Sequence, residues 1–317
     1  MKVFILFNYK IRNGLLRFAF ILVFLLEFLN SHSQSGFLPP GDRYDANRMR
    51  TVIITEVASG VAISAGLYFL WYRKHPRSRF HFFNDDAEWL QMDKAGHATT
   101  AYNIGTIQYD LMRWCGVKKD ASIAIGSITA LGYMSIVEVL DGFSSKWGFS
   151  KGDMLANIFG TALFAFQQKA WDQQRISLKF SFHPSIYAQY YPSELGKNLI
   201  SRMLKDYNGQ TYWLSFNIGS FLPAKTDFPY WLNMNLGYGA EGMIGGYSNP
   251  DSVKGVRIPH FPRYRQFYFS PDADLFRIPA SSSIYNTATY LTRFSKLPAP
   301  ALEWSKIKGL RFHPFYY

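Results

Sequence analysis

Residues 93–116 read DKAGHATTAYNIGTIQYDLMRWCG, and the fold turns on how this stretch is housed. Ala95, Tyr102, Ile107 and Leu111 give it a loose apolar face at helical spacing, while Asp93 and His97 lie one turn apart on the same side. A helix this polar is unstable alone in lipid and needs neighbours. They are supplied on both sides. Residues 51–72 (TVIITEVASGVAISAGLYFLWY) carry Glu56 as the single charge and have the length of a membrane span, with Trp71 and Tyr72 and then Arg73, Lys74, Arg77 and Arg79 as interfacial anchors. Residues 120–140 are apolar from Ala121 until Glu138, and residues 154–166 form a shorter apolar run ending at Gln167 and Gln168. Helices over 51–72, 93–115, 120–140 and 151–171 make a membrane-associated four-helix bundle the expected core.

After about residue 175 the texture changes. ISLKFSF (176–182), TYWLSFNI (211–218) and RQFYFSP (265–271) alternate polar with apolar or aromatic residues, the period of half-buried strands, and Asn208-Gly209, Gly245-Gly246 and Asn249-Pro250 read as turns. Short helices are expected at 193–205 and 283–294. LGYGAEGMIGG reads as a tight, glycine-dependent path, and the aromatic GLRFHPFYY end as a final strand. So few strands do not make a transmembrane barrel. The fold class expected is therefore mainly α, with the bundle followed by an aromatic, mixed α/β C-terminal segment over 173–317.

The first 33 residues have the layout of a secretory signal. Lys2, Lys10, Arg12 and Arg17 precede FAFILVFLLEFLN, and Ser31 and Ser33 stand at the −3 and −1 positions of a cut before Gln34. Residues 34–50, rich in Gly, Pro and polar groups, read as a linker. The chain as a whole has 34 Lys and Arg against 22 Asp and Glu, or +12. Removing the first 33 residues leaves 30 against 21, so the surplus belongs to the body. It suits anionic lipid headgroups. No zinc-finger spacing, aromatic RNA-binding pattern or basic recognition helix supports nucleic acid. Cys115 is the only cysteine in 317 residues, which excludes an internal disulfide and a thiolate zinc site, and no cysteine stands near the cut to take a lipid.

Three helices carry polar pairs on one face: Asp93 with His97, Glu138 with Asp141, and Asp153 with Asn157. Packed as neighbours, these helices gather an imidazole, several carboxylates and an amide at one end of the bundle. Such a group orients a proton shuttle, activates water or holds a hard cation of the Mn, Fe, Mg or Ca type. Plainer roles compete, since Asp93 is placed to cap its helix and Ser150 with Asp153 fits a capping box. His97 and Glu138 resist that account, because each lies inside an otherwise apolar or small-residue helix. No Gly-x-Ser-x-Gly elbow or phosphate loop is present. The basic stretch RKHPRSR (73–79) reads as a headgroup-facing loop.

Asp93-Lys94-x-x-His97, Glu138-x-x-Asp141 and Gly148-Phe149-Ser150-x-x-Asp153 with Asn157 and Gly160 resemble the YfiM-like family of predicted periplasmic lipoproteins and, more distantly, the VanZ-like membrane proteins. The resemblance spans about residues 90–170. It implies an envelope location and marks Asp93, Lys94, His97, Glu138, Asp141, Asp153 and Asn157. It brings no reaction and no cofactor. The function expected is a structural or ligand-binding role in the cell envelope, at an inner or outer membrane, with lipid headgroups and an envelope protein as partners. The alternative is a metal-assisted or acid/base hydrolase acting on a lipid or cell-wall substrate through His97, Glu138 and Asp153.

Overall fold

Glycine sets how closely the helices approach. A Cβ on Gly160 would lie 2.0 Å from the carbonyl oxygen of Ala98, and one on Gly126 would lie 2.7 Å from that of Gly105. These contacts bring three helices together: α2 (Met92–Trp114), α3 (Lys119–Gly142) and α4 (Lys151–Trp171). Phe164 fills the space above Gly105 and Gly126 and is fully buried with Ala98, Tyr102, Tyr109, Ile123 and Leu178. This computed structural model describes residues 37–316 apart from positions 71, 224, 225, 279 and 281. The expected signal segment over 1–33 lies outside the described residues.

The preceding helix, α1 (Ala46–Leu70), does not complete a bundle. Its first turns bury Val52 against Met112 and Cys115, and Glu56 turns toward Gln108 of α2. Beyond the helix, Tyr72 donates to Asp141 of α3 (2.7 Å). Between these ends Ile53, Ile54, Val57, Val61 and Ile63 stay exposed. Residues 37–45 are less free than a linker. The amides of Gly41 and Asp45 donate to the carbonyls of Arg113 and Cys115, tying this segment to the end of α2.

The second departure from expectation is the C-terminal half. It is a six-stranded antiparallel sheet in the order β10-β9-β8-β5-β4-β3. Its strands are β3 (Ile176–Phe182), β4 (Gln210–Asn217), β5 (Leu232–Glu241), β8 (Tyr264–Ala273), β9 (Ala299–Ser305) and β10 (Gly309–Tyr316). The short pairs β1 (Phe82–Phe83) with β2 (Phe149–Ser150), and β6 (Ser252–Val253) with β7 (Val256–Arg257), stand apart from it. Short helices α5 (Pro192–Leu195), α6 (Leu199–Lys205) and α7 (Ser283–Thr292) connect strands. A mainly α four-helix bundle with a mixed α/β tail is thus corrected to a three-helix unit, a loosely attached α1 and a large sheet.

The expected strand count fell short because glycine and proline hid two strands. Gly237 lies in β5, where a Cβ would stand 2.6 Å from the Trp213 ring, so the residue that reads as a breaker makes room for a cross-strand aromatic. In β9, Pro300 lies beyond the residues paired with β8. Pro314 of β10 falls within the register shift between His313 and Tyr316. Both prolines therefore sit where the ladder needs no amide hydrogen.

The alternation in this sheet is inverted. Lys179, Ser181, Thr211, Ser215, Asn233, Asn235, Gln266, Ser270, Asp272, Glu303 and Ser305 are buried, while Leu236, Phe267, Phe269, Leu302, Trp304, Leu310 and Phe312 are exposed. On the buried polar side, Lys179 pairs with Asp272 (2.6 Å) and Glu303 accepts from Gln266 (2.9 Å). Tyr316 of the edge strand reaches across to Thr211 of β4 (3.0 Å) and stacks on Tyr268. The other face of β3 and β4 meets the helices through Leu178 and Leu214.

Two glycines separate packing from propensity. Gly160→Val drives a side chain into the α2 backbone and should cost about 3 kcal/mol, as overpacking at a rigid contact does. Gly132→Ala, in α3 with nothing within 4 Å of the new Cβ, should gain ~0.5–1 kcal/mol from helix propensity. Denaturation of the detergent-solubilised protein measures both.

Candidate functional site

Helix polarity decides where the polar pairs meet. The N-terminal turns of α2 and α4 and the C-terminal turns of α3 lie at the same end of the unit. Asp93, Lys94 and His97 from α2 therefore face Glu138 from α3 and Asp153 and Asn157 from α4. Glu138, Asp153 and Asn157 are buried, and the His97 side chain keeps 13% of its surface.

Lys94 is the central cation. Its ammonium binds Oδ1 of Asp153 (2.8 Å) and Oδ1 of Asp85 (2.5 Å), the latter from the loop ahead of α2. Ser150 knits the same group together. Its hydroxyl donates to Asp85 (2.6 Å) and accepts from the Asp153 amide (3.1 Å), which caps α4. The other half of a capping box is replaced, because the Ser150 amide donates to Oε2 of Glu138 (3.2 Å). Asp93 does not cap α2. It accepts from the Tyr207 hydroxyl of the C-terminal half and lies at 3.9 Å (Oδ2) from Nε2 of His97.

His97 has a different neighbour on each side. Nδ1 lies 3.1 Å from Oδ1 of Asn157 and 3.5 Å from Oε1 of Glu138, whereas Nε2 looks toward Asp93. Oε1 of Glu138 and Nδ2 of Asn157 are buried without a hydrogen bond. Asp141 is turned aside to Tyr72 and bonds to none of the others. The sequence reading had missed Asp85, Tyr72 and Tyr207. The Asp85-Asp86 pair reads as a solvated loop, and the two tyrosines come from segments whose periodicity does not point here.

Electrostatics follow from this crowding. Burial works against the His97 imidazolium, yet Asp93, Asp153 and Glu138 together raise its pKa. Burial, and then the nearby Asp93, push Asp153 up to about 8. Asp85 goes the other way: despite its own burial, bonds from Asp153, Lys94 and Ser150 hold its carboxyl below the ordinary range. Asp85 and Asp153 thus share one lysine unequally, with the proton favoured on Asp153.

Three side chains of this cluster define what it can do. Asp93, His97 and Asp153 each place one potential ligand atom within 4.8 Å of the others. The larger groove, about 350 Å³ and lined by Tyr190, Lys197, Val253 and Arg257, belongs to the C-terminal half and shares no residue with the cluster.

Removing Lys94 leaves two carboxylates facing each other in a mostly buried setting. Lys94→Met should cost 3–5 kcal/mol, roughly the penalty for breaking a buried pair. Lys169→Met, which removes an exposed partner of Asp120, should leave stability essentially unchanged, because solvent screens that pair. The pH dependence has a definite sign. His97 and Asp153 both bind protons more tightly folded than unfolded, so the unfolding free energy should fall as pH rises from 6.5 to about 8. Chemical denaturation at a series of pH values checks this, and a flat or rising profile contradicts it.

Residues 81–169 match the model of a family described as predicted periplasmic lipoprotein. The match covers the site-bearing helices α2 and α3 and most of α4. It supports an exported, cell-envelope protein. Cys115 is fully buried against Val52 and Met112, so this thiol is not presented for lipid attachment. No curated protein and no solved structure matches the chain.

Proposed function

We propose that the protein is held in an envelope membrane by its own helices and uses the polar end of the three-helix unit to bind a ligand, in a structural or binding role. The observation that carries this reading is α1. Its stretch Ala46–Phe69 is long and apolar enough to cross a membrane, as is α3, and only 6% of the most apolar part of that stretch is buried. A soluble core helix hides such a surface. The outward residues Ile128 and Ile136 of α3 and Leu155 and Phe159 of α4 continue it, as does the exposed apolar face of the sheet. Arg43 before α1 and Arg50 in its second turn, and Arg73, Arg77 and Arg79 after it, are placed for anionic headgroups. The spacing of Asp93-Lys94-x-x-His97, Glu138 and Asp153-x-x-x-Asn157 underlies the finer likeness to YfiM-like and VanZ-like proteins, which belongs to this proposal.

A hydrolytic role through His97, Glu138 and Asp153 is the second reading, favoured by the His97 ring standing between Glu138 and Asp93. The buried setting of Glu138, and a groove that shares no residue with the cluster, favour binding over turnover. Alkaline carbonate extraction of membranes from cells producing the tagged chain tests the first reading. The wild type should stay in the pellet, and the Ile54→Asn/Val57→Asn/Val61→Asn triple variant should move largely to the supernatant. Release of the wild type by carbonate overturns membrane insertion.

A further inference from the structure

We propose that Asp93, His97 and Asp153 form a binding site for a divalent metal cation of the Mn²⁺ class, with Glu138 and Asn157 orienting the histidine behind it. This deepens the binding role proposed above by naming its ligand.

Geometry comes first. The three potential donor atoms lie within 4.8 Å of one another, so a point at most about 2.8 Å from each exists, and side-chain shifts of about half an ångström bring all three to bonding distance of one cation. Each aspartate has an oxygen to give. Oδ1 of Asp93 accepts from Tyr207, which leaves its Oδ2 facing Nε2 of His97, while Asp153 holds Lys94 through Oδ1, shares a proton with Asp85 and becomes a ligand by releasing that proton as the cation binds. Water completes the shell on the exposed side of Asp93, whose side chain is 28% exposed.

The buried groups behind His97 are an independent pointer. Glu138 is 1% exposed, and its Oε1 makes no hydrogen bond although it is aimed at Nδ1 of His97 from 3.5 Å. A buried carboxylate oxygen without a partner is costly unless a nearby group compensates it. A proton on Nδ1 donates to Asn157 Oδ1 and faces Glu138, which fixes the tautomer and leaves the lone pair on Nε2, toward Asp93. Metal-bound histidines are arranged in this way, the far ring nitrogen donating to a carboxylate or carbonyl. Charge points the same way. Asp85, Asp93, Glu138 and Asp153 face one lysine and one histidine, so even with the ring protonated and one proton held on Asp153 three carboxylates oppose two cations, and a divalent cation replacing the Nε2 proton offsets the excess. One imidazole with carboxylates and water suits Mn²⁺, Fe²⁺ or Mg²⁺ better than thiol-seeking metals.

The test uses the full chain, purified in detergent, stripped of metal and titrated with Mn²⁺ under electron paramagnetic resonance. One Mn²⁺ per chain should bind, and spin-echo modulation from an imidazole nitrogen should appear on the bound ion. Asp93→Asn and His97→Gln should each weaken binding at least about 10-fold, and Glu138→Gln roughly 10-fold through the misoriented ring. Asp120→Asn, on the exposed surface, should leave it unchanged. Absence of stoichiometric Mn²⁺, absence of the nitrogen signal, or full affinity in both Asp93→Asn and His97→Gln overturns the site. Where a variant fails to fold, the wild-type nitrogen signal decides alone. A chain that resists carbonate yet binds no Mn²⁺ loses the metal site and keeps its membrane role. A chain released by carbonate that binds Mn²⁺ does the reverse.

Discussion

The Lys94 ammonium between Asp85 and Asp153 is the contact on which the rest of the site depends. It joins the loop ahead of α2 to the first turn of α4, and Ser150 extends the joint to Glu138 on α3. Without it, three helices pressed together by glycine contacts would bring carboxylates against one another in a region too dry to screen them. Packing and charge pairing are therefore one requirement. Helices close enough for Gly160 to touch Ala98 force their polar ends into contact, and only a cation shared between those ends makes that closeness tolerable.

The same requirement explains why Ser150 does more than cap a helix. An ordinary capping box would spend the Ser150 amide on the Asp153 carboxyl. Here that amide goes to Glu138, and Asp153 turns to Lys94. A local helix-end device is diverted to hold a tertiary contact, and the carboxylate it frees becomes part of the shared cluster.

Much of the helical half was legible in the sequence, and less of the remainder. Apolar runs of helical length, and the loose apolar face of residues 93–115, mark the helices to within a few residues. The i,i+4 spacing of Asp93 with His97, and of Asp153 with Asn157, put each pair on one face, but it did not predict Asp85, whose loop carries no period. Whether α1 packs was not legible either, because a membrane span and a core helix are equally apolar. The strands at Ile176–Phe182, Gln210–Asn217 and Tyr264–Ala273 were visible through alternation. Those containing Gly237 and Pro300 were not, because a residue that breaks an isolated strand is accommodated where a neighbouring ring or an unpaired amide position needs it.

The direction of that alternation matters more than its detection. Period-two patterning states that a strand has two unlike faces and is silent on which one is inside. In a soluble sheet the aromatic face would pack inward. Here Phe267, Phe269 and Trp304 face out while Lys179, Asp272 and Glu303 are sealed within. The helical unit follows the same rule, with Ile128, Leu155 and Phe159 outward and the Lys94 cluster inward. An apolar exterior over a paired polar interior is the arrangement that hydrocarbon surroundings favour, since there the costly groups are those left without hydrogen bonds rather than those left without cover. Both halves of the chain thus answer one physical condition: each hides its paired polar groups and leaves its apolar groups outside.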